Sequence, residues 1–85
     1  MKVLIEVPNY DPSKGFIFNW EYGYEIENRI QDKVVIIKAN KAGLISLASQ
    51  LLNLAQDDFP QGYHLHYDEY NSLGEGSNEF IIEKN

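Results

Sequence analysis

Between residues 16 and 30 the chain alternates. Phe16, Phe18, Trp20, Tyr22, Tyr24, Ile26 and Ile30 occupy even positions, while Asn19, Glu21, Glu25, Glu27 and Arg29 occupy odd ones, with Ile17 the exception. A period of two belongs to an extended strand with opposed faces, so this stretch predicts one long strand, aromatic on one side and acidic on the other. Gly23 interrupts it without shifting the phase, as a bend or bulge would. Upstream, Val3 to Val7 reads as a shorter strand that Pro8 stops, and the breakers Pro12 and Gly15 mark the loop that follows. Downstream, Gln31-Asp32 is short enough for a hairpin turn. Lys33-Val34-Val35-Ile36-Ile37-Lys38 is then apolar on both faces, as a central strand would be.

The period changes after Asn40. Leu44, Leu47, Ala48, Leu51, Leu52 and Ala55 recur at helical spacing, which predicts a helix from Lys41 to about Asp57 with Asn40 as its N-cap. Phe59-Pro60-Gln61-Gly62 ends it. Tyr63 to Tyr70 and Glu79 to Glu83 read as two strands around the glycine-bearing turn Asn71–Asn78. The expected fold is therefore α+β, a single domain over residues 1–85: a five-stranded, mainly antiparallel sheet with one helix packed on one face, in the order β-β-β-α-β-β. One helix covers one face of a sheet, yet Val34 to Ile37 present apolar residues to both, so either loops or a partner must close the second face. The other side of the helix carries Ser46, Ser49, Gln50, Asn53 and Gln56, with no charge between Lys41 and Asp57. Solvated helix faces ordinarily carry lysine and glutamate, so this uncharged side is a second candidate for a surface that a partner covers.

Charge narrows the classes of function. Thirteen acidic residues against seven basic ones give a formal charge of −6, and no run of lysine and arginine is available to neutralise phosphates. The reading is no nucleic acid and a preference for basic protein partners. The absence of cysteine removes disulfides and thiolate metal sites. Met1 to Val7 meets a charge and then Pro8 after only a few apolar residues, too short for a signal-peptide core, and no stretch approaches the roughly 20 apolar residues of a membrane span. The expectation is a cytoplasmic protein with no membrane partner.

The only two histidines form His64-Leu65-His66-Tyr67-Asp68. On a strand, His64 and His66 point to one side and could chelate a metal. Asp68 would then lie about 13 Å from His64, too far to share the ion without a sharp bend. With no further histidine or cysteine, every remaining ligand would have to be Asp or Glu, so a complete first shell is lacking and no metal site or cofactor is expected. The bland placement has His64 and His66 semi-exposed, with Leu65 and Tyr67 on the opposite side facing the helix. Catalysis has less support: the serines sit on the helix or in turns, no glycine-rich elbow exists, and Asp57-Asp58 and Asp68-Glu69 are neighbours at element ends. No enzyme is expected.

Three pieces in order carry a resemblance. Asn40-Lys41-Ala42-Gly43-Leu44-Ile45-Ser46-Leu47-Ala48 is similar to an N-K-x-G-L-x-x-L-A pattern, His64-Leu65-His66-Tyr67-Asp68 to H-x-H-x-[D/E], and Gly76-Ser77-Asn78-Glu79-Phe80-Ile81-Ile82 to G-S-x-x-F-I-I. Together they resemble the small bacterial immunity proteins of polymorphic toxin systems. The resemblance implies an α+β protein in the cytoplasm of a toxin-producing bacterium that binds and neutralises a cognate toxin, with no reaction and no cofactor. A basic toxin would suit the acidic chain. Partner contacts are then expected on the charged face of the long strand, Glu21, Glu25 and Glu27, and at the strand end Asp68, Glu69 and Tyr70. The alternatives are a metal-binding or hydrolytic protein using His64, His66 and Asp68, and a homodimer with a structural or regulatory role.

Overall fold

The computed structural model describes residues 1–85. It contains β1 (Ile26–Gln31), β2 (Val34–Ala39), α1 (Lys41–Leu54), β3 (His64–Tyr67) and β4 (Phe80–Glu83). The class is α+β, but the five-stranded sheet in the order β-β-β-α-β-β is not what forms. β1 pairs antiparallel with β2, β3 pairs antiparallel with β4, and the two hairpins remain separate two-stranded sheets. Residues 3–7 and 16–24 join neither sheet. No helix is long and apolar enough to cross a membrane.

The missing strand has a specific cause. The arm between Phe16 and Glu25 finds partners for its backbone on the side chains of α1, where a pleated sheet would offer another strand. Gln50 Nε2 donates to the Asn19 carbonyl at 3.1 Å and Asn53 Nδ2 to the Ile17 carbonyl at 3.1 Å. Ser46 Oγ accepts from the Glu21 N–H at 2.8 Å, and Gln56 Nε2 donates to the Pro8 carbonyl at 3.0 Å. Asn40 closes the row: its Nδ2 donates to the Gly23 carbonyl while its Oδ1 accepts from the N–H groups of Glu25 and Gly43. Buried backbone groups must be paired somewhere, and amide and hydroxyl side chains can pair them as a strand would.

This row turns the helix over. Its buried positions are Gly43, Ser46, Ser49, Gln50, Asn53 and Leu54, whereas Leu44, Leu51 and Leu52 stand 58%, 46% and 52% exposed. The uncharged side, in the sequence a candidate contact surface for a partner, is occupied instead by the protein's own arm. Of the predicted apolar stripe only Leu47 reaches the margin of the core, and the helix's one buried leucine, Leu54, lies outside that stripe.

The aromatic residues of the arm face the β3–β4 sheet. Phe18 and Trp20 meet Tyr67 edge to face, with ring centres 6.1 and 6.5 Å apart, and Phe16 packs against Phe59. They cover a core of Ile26, Leu54, Phe59, Leu65, Tyr67 and Leu73. Tyr67 is the hinge of this packing: its ring stacks on Phe80 at 4.7 Å and its hydroxyl donates to Gln50 Oε1 at 2.7 Å. The alternation does not run unbroken. A turn at Gly23 (φ +76°) brings the Tyr24 N–H to the Glu21 carbonyl, and Tyr22 is thrown fully into solvent.

β2 is also not central. Its register with β1 runs from Ile26 opposite Ala39 to Gln31 opposite Val34, and the turn between them is Asp32-Lys33. Both turn residues have positive φ, 49° and 66°, the handedness that matches strand twist in a two-residue hairpin. The other edge of β1 is closed by a loop: the Gly74 N–H donates to the Ile26 carbonyl, and Asn28 exchanges hydrogen bonds with Ser77 and Asn78. The other edge of β2 has no strand against it.

Two outcomes follow from the inverted helix. Gln50→Leu strips partners from the Asn19 carbonyl and the Tyr67 hydroxyl, and lowers unfolding free energy by about 2–4 kcal/mol in urea titration. Leu51→Gln, at an exposed position, stays within about 0.5 kcal/mol of the parent. The reverse ranking is what a leucine-inward helix requires. Burial also pushes the Tyr67 phenol up from 10.0 to about 12. The folded state therefore holds this proton more tightly than the unfolded chain, so the contribution is complete below pH 10 and is lost as the pH rises through about 12. Urea titrations across that window lose on the order of 2 kcal/mol more in the parent than in Tyr67→Phe, which has no proton to lose.

Candidate functional site

The acidic residues expected on one strand face are divided by the turn at Gly23. Glu25 and Glu27 flank buried Ile26 and line a cleft of about 620 Å³, shared with Tyr24, Lys38, Asn40 and Leu73. Glu21 lies on the other side of the turn and does not line it. A smaller recess of about 160 Å³ adjoins through Glu27 and Lys38 and adds Arg29 and Glu75. Glu25, Glu27 and Glu75 against Arg29 and Lys38 leave this region only weakly anionic. The Glu27–Lys38 pair, 3.7 Å apart with both side chains mostly exposed, adds little to stability.

Asp68, Glu69 and Tyr70 do different work from one another. Asp68 Oδ1 accepts from the N–H groups of Tyr70 and Asn71, and its carbonyl accepts from Leu73. Glu69 Oε2 accepts from the Gly76 N–H at 2.9 Å. These carboxylates shape the loop that carries Gly74 to the edge of β1. Tyr70, exposed at its tip, is free to touch a partner.

The residues of the sequence pattern are mostly joints. Asn40 caps α1 and holds the arm, as above. Lys41 opens the helix and is exposed, as is Leu44. Gly43 is where α1 rests on β1: a Cβ there would stand 2.5 Å from the Glu25 carbonyl oxygen and 2.9 Å from Ile26 Cγ1. Gly76 turns the chain at φ +85°, and Ser77 Oγ accepts from the Asn28 N–H. His64 and His66 project outward from β3 while Leu65 and Tyr67 are buried. No group of three or more His, Cys, Asp or Glu residues is placed to hold a metal ion.

The outward turn of the helix leucines was not anticipated from the sequence. Leu44, Ala48, Leu51 and Ala55 follow one another along the outside of α1 at positions i, i+4, i+7 and i+11, with Leu52 beside them, all exposed. On β2, Val35 and Ile37 are exposed on one face and Val34 on the other, beside an unpaired edge. Exposed aliphatic side chains in this number mark a contact surface more often than bare solvent. The leucine period was visible; the side to which it pointed was not.

The family model for Immunity protein 32 matches residues 34–85, more than half of the chain, and the protein belongs to that family. No curated protein and no solved structure matches it. The matched residues hold β2, α1, β3 and β4, and with them the leucine row; Glu21, Glu25 and Glu27 lie outside.

The contact at Gly43 sets how closely α1 approaches the wall of the cleft. Gly43→Ala drives a methyl into the Glu25 carbonyl, which is backbone and cannot swing aside. It lowers the unfolding free energy by about 1–3 kcal/mol, although alanine is the better helix former. Thermal unfolding measures it; an unchanged or raised midpoint contradicts the close approach.

Proposed function

We propose that this protein is a stoichiometric inhibitor that binds and neutralises a cognate toxin in the cytoplasm of the producing cell, and that it makes the contact with the apolar outer surface of α1 and β2. Membership of an immunity protein family supports a toxin partner in general. The observation that carries the surface is the exposed row Leu44, Leu51 and Leu52 on α1, with Val35 and Ile37 on one face of β2, five large aliphatic side chains in solvent within the matched residues. Burying such side chains against a partner supplies the apolar centre around which binding energy concentrates. The formal charge of −6 supports a basic partner, drawn in by long-range attraction. Glu25 and Glu27 at the cleft, Glu21 on the arm and Tyr70 on its loop form the rim of that contact. Inhibition by occupancy needs no reaction and no cofactor.

The test is protection of cells from the toxin encoded beside this gene, with affinity measured on the purified pair. The double variant Leu44→Glu/Leu51→Glu stays folded by circular dichroism and loses at least ~100-fold in affinity. Reversing Glu21, Glu25 and Glu27 to lysine slows association by about tenfold at low salt and leaves dissociation nearly unchanged. Full protection by the double leucine variant refutes the surface; failure of the parent to protect refutes the function. Light scattering of the isolated protein separates the remaining use of this surface, since a dimer that the leucine variant converts to monomer assigns it to self-association.

A further inference from the structure

The outer face of the β3–β4 sheet holds a pair of imidazoles at the spacing of a chelate. His64 and His66 are two positions apart on β3 and leave the strand on the side opposite buried Leu65 and Tyr67. Their ring centres are 4.9 Å apart, with the planes at 63°. Two imidazoles bound to one tetrahedral ion, each through one nitrogen at about 2.0–2.1 Å, have their ring centres about 5 Å apart.

The second ring nitrogen of each histidine supplies independent support. His64 Nδ1 lies 3.0 Å from the Gly62 carbonyl oxygen, and His66 Nδ1 lies 3.3 Å from Glu79 Oε2. A carbonyl and a carboxylate can only accept, so these contacts need the proton on Nδ1, which in a neutral imidazole leaves the lone pair on Nε2. Neither Nε2 is hydrogen-bonded to the rest of the chain. Ring N–H groups held by a carbonyl or carboxylate are how metal-binding histidines are fixed in tautomer and direction.

We propose that His64 and His66 bind one divalent transition-metal ion through their Nε2 atoms, with Glu79 and the Gly62 carbonyl holding the two rings in the binding tautomer. No third protein donor completes a cluster. Water fills the remaining positions, and the site stays open to a donor from a docked molecule. Two neutral imidazoles select zinc, copper and nickel over magnesium and calcium, with copper the tightest. The proposal is independent of the toxin reading: it concerns the β3–β4 face, not the α1–β2 surface.

Calorimetric titration of the full chain with zinc, nickel and copper salts tests it, with magnesium as the control. One ion per chain binds at neutral pH with micromolar affinity, copper more tightly than zinc, and magnesium gives no heat of binding. His64→Gln and His66→Gln each weaken binding at least tenfold, and Glu79→Ala weakens it by about tenfold. Histidine ring resonances shift as expected for coordination at Nε2. Binding no tighter than about millimolar, or unchanged by either histidine substitution, overturns the site. An affinity unchanged by Glu79→Ala overturns the orienting role assigned to that carboxylate.

Discussion

An extended chain with no neighbouring strand must still find partners for its N–H and C=O groups, and that requirement organises this molecule. Residues 17 to 25 meet it on one side of a helix, through Asn40, Ser46, Gln50 and Asn53. Each of these side chains is uncharged, so it bonds the arm without the cost of burying a charge. Gln50 is at the centre: it bonds the arm through Nε2 and the β3 strand through Oε1, and so joins the layers. With its polar side turned inward, α1 necessarily turns its leucines outward. Stability and exposed surface therefore have one origin.

How far the sequence could be read follows from what a hydrophobic period does and does not encode. The helix and its N-cap at Asn40 were legible because capping is local chemistry, and the side chain does accept from the Gly43 N–H. Strands were legible on both sides of each turn, but the first was read ten residues too long at its start and its turn one residue early. The strand read over 63–70 is formed only from His64 to Tyr67. The outward aspect of His64 and His66 followed from strict alternation around Leu65 and Tyr67. What failed was assembly. A period of two reports an extended backbone but is silent on whether a strand or a row of amide side chains will satisfy it. A helical period reports a stripe of leucines but not whether the stripe faces in. Ser46, Gln50 and Asn53 recur at helical spacing too, and between two competing stripes the arm decided. The strand expected over residues 3–7 failed for the same reason: no second strand stands beside it.

Side chains and loops stand in for strands elsewhere in the fold. Asn28 is buried on β1, and its amide exchanges hydrogen bonds with Asn78 as a strand backbone would, while Ser77 accepts from its N–H. Asp68 and Glu69 hold the preceding loop so that Gly74 reaches the Ile26 carbonyl. A two-stranded hairpin alone is marginal in water; here one edge of β1 is closed by this loop, and α1 rests on it at Gly43. The edge of β2 receives no such cover. That open edge leaves backbone groups of β2 unpaired, and its side chains Val34, Val35 and Ile37, expected in the middle of a sheet, are exposed because no layer covers the faces they leave.

The manner in which the arm is held bears on what can vary. The helix side chains bond the backbone of Ile17, Asn19, Glu21 and Gly23, not their side chains. Asn19 and Glu21 are therefore free of that contact and available to a partner, whereas Phe16, Trp20 and Tyr24 are tied to the aromatic packing around Phe59 and Tyr67. Sequence can change on one side of the arm without loosening its attachment. The residues matched to the family, 34–85, contain the helix row that does the holding, and the arm that is held lies outside them. A receiver that reads only backbone can accept arms of differing sequence, so long as aromatic rings continue to fill the space beside Tyr67.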